Sequence, residues 1–282
     1  MVKEYWNLHS TPFGKPGSGG WFYESPSHEE ALARLYFLIE QQRQCGILTG
    51  PAGTGKTALL TLLAKQLRRS QCQSVLLDVC GISGDELIWQ LANALHVAPA
   101  ATARPFLLWR SVRDSLHGLS KSEQQIVLMF DHFDRGEADC PVVLEQLLRL
   151  TDGTGGGCTL LIAADETAIS RSLSPLLPLV DLRIELSPLN RHETAYYVYE
   201  SLKQAGAETE LFDPSALDAI FAATGGLPRE IGRLCELSLL AGMADKRTTI
   251  DAETVREAAA NLSVTSNPSV VLPTSDNAAA VA

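Results

Sequence analysis

The sequence predicts an α/β protein: a parallel β-sheet with helices on both faces, followed by a small all-helical domain. From Gly46 onward, short runs that are apolar throughout alternate with amphipathic segments, a pattern typical of strands buried on both faces. After Pro188 the strand signals stop and only helical patterns remain. With 282 residues, 45 % of them hydrophobic, the chain is long enough for about two domains and too apolar for disorder throughout.

The predicted elements follow one another in a regular order. Five apolar runs are the predicted strands: Gly46–Leu48, Ser74–Val79, Gln125–Phe130, Thr159–Ala164 and Leu182–Leu186. A first long helix is predicted from about Ser27, with Ser27 as its cap. The helices predicted between the strands are Lys56–Arg69, Asp85–Leu95, Pro105–Leu119, Pro141–Leu150 and Thr167–Leu176. Those predicted after Pro188 are Arg191–Ala205, Pro214–Ala223, Pro228–Ala241 and Ala252–Asn261.

These patterns divide the chain into four expected parts. They are an N-terminal segment at 1–45, an α/β domain at 46–188, a helical domain at 189–262 and a tail at 263–282. The tail carries one charged side chain, Asp276, and no aromatic residue, so we expect it to be disordered.

Charge and composition argue against several classes of protein. Acidic residues outnumber basic ones by 33 − 23 = 10, which disfavours a strongly basic face and therefore nucleic acid as a partner. No apolar run approaches the ~18–20 residues that span a bilayer, and the N-terminus MVKEYWNLHS lacks an apolar signal core. The six cysteines form no CxxC pair. We therefore expect a cytoplasmic protein without a membrane span, whose cysteines are reduced thiols of the core.

The strongest motif lies between the first predicted strand and the helix after it. It reads Gly50, Pro51, Ala52, Gly53, Thr54, Gly55, Lys56 and Thr57, with Ala58 next. This GxxxxGKS/T pattern is typical of a loop whose backbone N–H groups form a nest for phosphate at a helix N-terminus. Lys56 is expected to reach the β- and γ-phosphates, and the Thr57 hydroxyl to bind Mg²⁺. The motif therefore predicts a nucleotide site, with ATP and Mg²⁺ as its ligands.

A second motif follows the third predicted strand. Asp131 comes directly after the apolar run Ile126–Phe130, where a nucleotide site of this kind needs an acid to hold the metal. The next residue is His132, at a place where many ATPases of this build have Glu. Its imidazole is either a base for the attacking water or a structural group. Asp134 and Glu137 are nearby carboxylates that could serve instead.

Two further positions are candidates for contact with the γ-phosphate. Asp165 follows the fourth predicted strand, where it would contact the phosphate or the water, or cap a helix. Arg229 begins a helix after a Gly-Gly-Leu-Pro turn, where it would bridge the helical domain to the triphosphate, or lie free on the surface. Arg171 and Arg183 are either arginine fingers for a neighbouring subunit or ordinary surface residues.

With these residues in place, the chain resembles the AAA+ ATPases of the general secretion pathway protein A type, over about residues 5–262. The matching segments are Tyr5-Trp6-Asn7-Leu8, Pro12-Phe13, Phe22-Tyr23-Glu24-Ser25, His28-Glu29-Glu30-Ala31-Leu32, Leu48-Thr49-Gly50, Gly225-Gly226-Leu227-Pro228-Arg229 and Arg233-Leu234. The resemblance implies a P-loop NTPase sheet of AAA+ type with a helical lid. It also implies that the N-terminal segment packs on the nucleotide site, with Phe13 and Tyr23 at the adenine, and that Arg229 acts as sensor 2. Ordinary core packing is the alternative for the two aromatic residues.

Three departures from the family pattern limit what the resemblance implies. His132 stands where the family has a second acid, and Asp165 where a sensor Asn is typical. Better-known members continue into a membrane span and a peptidoglycan-binding part, where this chain has its short tail. We therefore expect an ATPase that binds Mg·ATP, hydrolyses it slowly and couples lid movement to an unidentified protein partner, in secretion or pilus assembly. The alternatives are a nucleotide-dependent switch with negligible hydrolysis and a transposition-type DNA-linked ATPase, and a homo-oligomer is compatible with all three.

Overall fold

The fold is described from a computed structural model that covers residues 1–14, 22–70, 72–100, 102–122, 124–152, 157–168 and 173–265. Its centre is one parallel sheet of five strands in the order β2-β3-β4-β1-β5. The strands are β1 (Cys45–Thr49), β2 (Gln73–Asp78), β3 (Ile126–Asp131), β4 (Cys158–Ala163) and β5 (Leu182–Glu185). All five predicted strands are therefore confirmed, with bounds that shift by at most one residue.

Helices connect the strands and form the C-terminal part of the described chain. They are α1 (Val2–Tyr5), α2 (Pro26–Glu40), α3 (Lys56–Arg69), α4 (Gly84–Ala94), α5 (Pro105–Lys121), α6 (Cys140–Asp152), α7 (Arg191–Gln204), α8 (Pro214–Thr224), α9 (Pro228–Ala244) and α10 (Ala252–Thr265). The described residues also form short 3₁₀ helices at Phe133–Arg135, Glu166–Ala168 and Leu177–Leu179. None of the helices in the described parts of the chain is both long and apolar enough to cross a membrane.

Two of the predicted helix features were wrong. The cap of α2 is Ser25, not Ser27, because the helix begins at Pro26 and the Ser25 side chain accepts a hydrogen bond from the His28 N–H. The helix predicted at Thr167–Leu176 does not form in the described residues of that range. A 3₁₀ helix ends at Ala168, residues 174–176 form a turn, and a second 3₁₀ helix begins only at Leu177. The predicted tail at 263–282 falls outside the described side chains.

Three hydrophobic cores organise the molecule. One lies between the sheet and α4, α5 and α6, and a second lies on the opposite face of the sheet against α2 and α3. Alternate residues of β3 serve the two layers, which is why this strand is apolar throughout. The third core lies among α7 to α10. The six cysteines are free thiols, and Cys80 is exposed, so the expectation that all of them lie in the core was wrong there.

The N-terminal residues belong to the third core. Trp6 is buried there, and its indole N–H donates to the carbonyl of Leu239 in α9 at 2.9 Å. A Cβ on Gly242 would lie 3.1 Å from the Trp6 ring, so a glycine at that point of α9 gives the indole room. The segment before α2 is therefore tied to the helical domain, while α2 itself packs on the sheet.

The turn before α9 lies directly against the chain that leaves the sheet. The Leu189 N–H donates to the Gly226 carbonyl at 2.8 Å, and Gly226 has a φ of +77°. A Cβ on Gly226 would lie 1.8 Å from the Leu189 carbonyl oxygen, so only glycine fits there. This close contact holds the N-terminus of α9 near the end of the sheet where β1 enters its loop.

Candidate nucleotide site

The loop between β1 and α3 has the backbone shape that its sequence requires. Gly53 and Gly55 have φ values of +95° and +106°, in the region that favours glycine. A Cβ on Gly55 would lie 2.7 Å from His28 Nε2. No described side chain caps the N-terminus of α3, so the N–H groups of its first turn have neither an intrahelical nor a side-chain partner. These features fit a bound phosphate, which such N–H groups and the helix dipole would hold.

Lys56 lies at the centre of the candidate site. Its ammonium group donates to the carbonyls of Gly50 at 2.6 Å and Pro51 at 3.0 Å. Burial lowers the pKa of Lys56, and the Arg229 guanidinium lowers it further, whereas three carboxylates oppose that shift. Those carboxylates belong to Asp165, Asp134 and Asp131. The structure thus brings together residues that are up to 173 positions apart in the sequence, 229 − 56 = 173.

Asp131 ends β3 in a nearly buried position, and His132 turns away from Lys56. Asp131 Oδ1 accepts a hydrogen bond from the His132 N–H at 2.9 Å. His132 has a φ of +51°, and its Nδ1 lies 3.0 Å from Asp78 Oδ1 at the end of β2. The imidazole therefore contacts the end of β2, which lies on the opposite side of β3 from β1, and its Nδ1 also lies 3.6 Å from Asp131 Oδ2. The structural interpretation of His132 therefore has a definite partner, Asp78, which the sequence analysis missed.

Asp165 is both a cap and a neighbour of the phosphate loop. Its carboxylate accepts hydrogen bonds from the Thr167 N–H at 3.1 Å and the Thr167 hydroxyl at 2.8 Å. Burial acts to raise the pKa of Asp165, but these hydrogen bonds, the charge of Lys56 and the N–H of Ala52 outweigh it and lower the pKa. The Asp165 N–H donates to Asp134 Oδ1 at 3.0 Å. Asp134 is thereby fixed on the same side of the site as Lys56.

Arg229 connects the helical domain to the loop. Its backbone N–H donates to the Gly53 carbonyl at 3.3 Å, and a Cβ on Gly53 would lie 3.1 Å from the Arg229 Cβ. The side chain is exposed and close enough to Lys56 to affect its pKa. Arg183 lies exposed on the edge strand β5, and Arg171 lies outside the described residues.

The two aromatic candidates pack on the helical domain. The Tyr23 ring lies 5.7 Å from the Tyr196 ring and 5.8 Å from the Tyr197 ring, between centroids. Phe13 lies 6.1 Å from Tyr197 and against Gly232 of α9. Both aromatic side chains are half-buried at the rim of the third core. Both rings therefore pack on the helical domain with one side, and the other side remains accessible. This arrangement is compatible with a contact to the adenine of a nucleotide.

His28 is a residue of the site that the sequence analysis quoted but gave no role. It is 3 % exposed, and its Nε2 lies 2.9 Å from the Thr54 carbonyl oxygen in the loop. Its Nδ1 lies 2.7 Å from Ser25 Oγ, so the neutral tautomer with hydrogen on Nε2 satisfies both contacts. Burial lowers the pKa of His28, which keeps the ring neutral. No spacing rule relates position 28 to position 54, because the contact is between distant segments.

Replacing His28 by Ala is expected to weaken nucleotide binding about tenfold, because the buried Thr54 carbonyl loses its donor. His28→Gln, which keeps a donor, should recover part of the affinity in a titration with a fluorescent ATP analogue.

The pKa of His28 is lower in the folded chain than its ordinary ~6.5, so its contribution to stability is lost as pH falls below ~6.5 toward the folded value. The melting temperature of His28→Gln should therefore fall less than that of the wild type between pH 7 and 5. Equal affinities and equal pH profiles for all three proteins would contradict this role.

The sheet order, the glycine loop after β1, the acid after β3 and the helical domain that touches the loop define the P-loop NTPase fold of AAA+ type. Residues 39–168 match the family model described as AAA domain. The fold is that of ATP hydrolases, which typically bind their nucleotide with Mg²⁺.

The chain is also similar to general secretion pathway protein A of Aeromonas hydrophila. The two are 29 % identical over 252 residues, which cover 86 % of this chain and 45 % of the relative. The chain thus spans less than half the length of that relative.

Solved structures of AAA+ type resemble the chain at low sequence identity. Cdc6p of Pyrobaculum aerophilum has a TM-score of 0.70 at 17 % identity and covers 91 % of this chain and 70 % of its own. ORC1 of Aeropyrum pernix, in complex with DNA, has a TM-score of 0.66 at 15 % identity, and the match covers 84 % of this chain and 66 % of ORC1. The RuvB Holliday junction branch migration motor of Thermotoga maritima has a TM-score of 0.54 at 18 % identity, and the match covers 83 % of this chain and 69 % of RuvB. At these identities the likeness concerns the fold alone.

Proposed function

We propose that the chain is a slow ATPase of AAA+ type whose helical domain reports the nucleotide state to a protein partner. The observation that carries this proposal is the meeting of Lys56, Asp131, Asp165 and Arg229 at the loop between β1 and α3. A role in secretion or pilus assembly is supported by the relative named general secretion pathway protein A. The proposal includes a cytoplasmic location. It also includes the division of the chain into four parts, with boundaries after residues 45, 188 and 262.

The proposed roles follow from the chemistry of each side chain. The backbone N–H groups from Gly50 to Ala58, except at Pro51, which has none, would hold the phosphates together with the Lys56 ammonium. Thr57 and Asp131 would hold Mg²⁺, which neutralises phosphate charge when bound. Asp165 fixes the loop through the Ala52 N–H. Phe13 and Tyr23 border the adenine from the side of α7. Arg229 reaches the γ-phosphate from the helical domain, so its contact depends on which nucleotide is bound.

The site lacks the usual glutamate that activates the attacking water, and this supports slow hydrolysis. The chain has His132 where a glutamate is typical, and the imidazole is held by Asp78. Asp134 is the carboxylate that lies beside Lys56, but it also accepts a hydrogen bond from Asp165. The engagement of His132 by Asp78 favours a second candidate function, a nucleotide-dependent switch with negligible turnover.

Replacing His132 by Glu is expected to raise steady-state ATP hydrolysis by about 10²-fold, the lower end of the ~10²–10⁴-fold that a properly placed base contributes. The new carboxylate is repelled by Asp78, which turns it toward the loop. His132→Gln has nearly the same shape without the charge and is the matched control. The measurement is phosphate release with saturating Mg·ATP. An unchanged rate in both variants would mean that residue 132 takes no part in hydrolysis, and tight binding without turnover in the wild type would favour the switch.

DNA as a binding partner of this chain is a separate question from ATP hydrolysis. The Aeropyrum pernix ORC1 structure contains DNA, whereas this chain carries a net charge of −10, which argues against a basic face that binds duplex DNA. A gel shift with duplex DNA at low salt tests whether this chain binds DNA. Retention that disappears as salt rises would support the DNA-linked alternative, and no retention at ~50 mM salt would exclude it.

A further inference from the structure

The sheet domain carries a groove between α5 and α6 that the nucleotide site does not use. Both helices pack against α4, and a cavity of about 440 Å³ lies between them. It is lined by Phe106, Trp109, Arg110 and Arg113 of α5 and by Gln146, Arg149 and Leu150 of α6. We call this feature the basic groove. Its volume lies within the ~300–1,000 Å³ that is typical of ligand sites.

Each of the two helices presents one face to the basic groove. The α5 residues that line it have the spacing i, i+3, i+4 and i+7, and the α6 residues have the spacing i, i+3 and i+4, so each set lies on one side of its helix. The buried stripe of α5 is a different one, made of Leu108, Val112 and Leu116. Helix α5 therefore has an aromatic and basic face besides the apolar face that it packs on the core.

The apolar side chains of the basic groove are open to solvent. Phe106 is 74 % exposed, and Leu107 beside it is exposed as well. Trp109 and Leu150 are half-buried. A single exposed ring is ordinary on a protein surface, but two aromatic rings that line one cavity are typical of a surface that binds a partner.

The charge of the basic groove is positive, although the chain as a whole is acidic. None of the described residues that line the groove is acidic. Arg110 and Arg113 share one carboxylate, Asp114, and each Nε lies 3.7 Å from it, beyond hydrogen-bond distance. Arg149 is already paired with Glu145 at 2.7 Å. The two arginines of α5 therefore keep donors that are free to bind a carboxylate from outside the chain.

We propose that the basic groove binds an acidic segment of another protein, in which carboxylates flank an aromatic or large aliphatic side chain. Arg110 and Arg113 lie one helical turn apart, and each guanidinium can donate two parallel hydrogen bonds to a carboxylate. The apolar side chain of the segment lies in the cavity against Phe106 and Trp109, because buried aromatic contacts carry much of the affinity at such sites. This surface belongs to the sheet domain, so its use does not depend on the movement of the helical domain.

Shape and charge favour a protein segment over other anionic partners. A protruding side chain fills a cavity between two helices, whereas a lipid surface meets only the rim of the cavity. A nucleic acid carries a phosphate charge at every nucleotide, so it is also repelled by the rest of a chain whose net charge is −10. A short segment with a few carboxylates neutralises the groove alone.

Selection from a displayed library of short random peptides, without nucleotide, tests this proposal. Peptides enriched on the immobilised wild-type chain should combine Asp or Glu with Trp, Phe or Leu. Fluorescence anisotropy with a selected peptide then measures affinity. Arg110→Glu with Arg113→Glu should weaken binding about tenfold or more, and Phe106→Ala about tenfold. Affinity should also fall between ~50 mM and ~0.5 M salt, because exposed charge pairs are screened.

Matched changes elsewhere on the chain are the controls. Arg68→Glu with Arg69→Glu on α3, and Phe37→Ala on α2, alter exposed positions on the other layer of the sheet and should leave peptide affinity unchanged. Arg110→Glu with Arg113→Glu should instead bind the selected peptide once its acidic residues are replaced by Lys, a peptide that the wild type rejects. Equal melting temperatures show that folding is retained, and Phe106→Ala carries the test if the double variant does not fold.

The outcomes separate this proposal from its alternatives and from the proposed function. Selected peptides that lack acidic residues, or that bind the groove variants as tightly as the wild type, would overturn it. Groove variants that lose only binding to vesicles of anionic phospholipid, to single-stranded DNA or to a second copy of the chain would overturn it in favour of that partner. The groove variants should hydrolyse ATP at the wild-type rate, so loss of peptide binding with normal hydrolysis supports the proposal, and failure of ATP hydrolysis in the wild type leaves the peptide result intact.

Discussion

Replacing Lys56 by Ala is expected to abolish ATP binding and hydrolysis together. The Lys56 ammonium lies inside the phosphate loop, and Asp131, Asp134 and Asp165 lie around it. Without that positive charge, the three carboxylates face the triphosphate and repel it. We expect ATP hydrolysis to fall by about 10²–10³-fold, the range typical for removal of one preorganised charge-stabilising group. Binding of a fluorescent ATP analogue and release of phosphate measure the two effects on the same samples.

A matched control comes from the same helix. Lys65 is an exposed lysine of α3 that lines neither the loop nor any contact of the site. Lys65→Ala removes the same charge and should bind and hydrolyse ATP like the wild type. If Lys56→Ala kept wild-type affinity while folding normally, the loop would not be a nucleotide site, and the proposed function would fail with it.

The parts of the fold that could be predicted are those fixed by local chemistry. The strands β1, β3 and β4 are buried almost throughout and are continuous, mostly apolar runs, whereas the edge strands β2 and β5 are only partly buried. Helix α3 begins at Lys56 because the glycine motif ends there. Asn190 and Asp213 cap α7 and α8, and such caps can be read from the sequence because a capping side chain acts within three residues of its helix. The cap of α2 was missed because two serines flank Pro26, and only the requirement for proline in the first turn selects Ser25.

The candidate site was predictable in its residues and not in its contacts. Asp131 ends β3 and Asp165 follows β4. Because the carboxyl ends of parallel strands lie at one edge of the sheet, the approach of both carboxylates to Lys56 follows from strand order. The direction of His132 depends on Asp78, which ends the neighbouring strand and follows no motif. The contact of His28 with Thr54 joins the N-terminal segment to the loop, and such a contact has no periodicity or spacing from which to infer it.

Replacing Arg229 by Ala is expected to remove the difference between ATP and ADP while leaving ADP affinity nearly unchanged. The α9 backbone contacts the loop at Gly53 whichever side chain is present, so the docking of the helical domain is retained. Only the guanidinium, which lies close enough to Lys56 to lower its pKa, is lost. We expect ATP affinity to fall about tenfold and hydrolysis by about 10³-fold, as for other arginines that act on a transferring phosphoryl group.

The control for Arg229 lies one turn further along α9. Arg233 is exposed and paired with Glu230 at 3.6 Å, and Arg233→Ala should behave like the wild type in every assay. Hydrogen exchange of α9 in ATP and in ADP then reports the coupling directly. In the wild type the N-terminal turn of α9 should be better protected with ATP, and in Arg229→Ala the two nucleotides should give equal protection. Loss of ATP and ADP affinity to the same extent would mean that Arg229 supports the loop without sensing the γ-phosphate, and another residue would then have to report the nucleotide state.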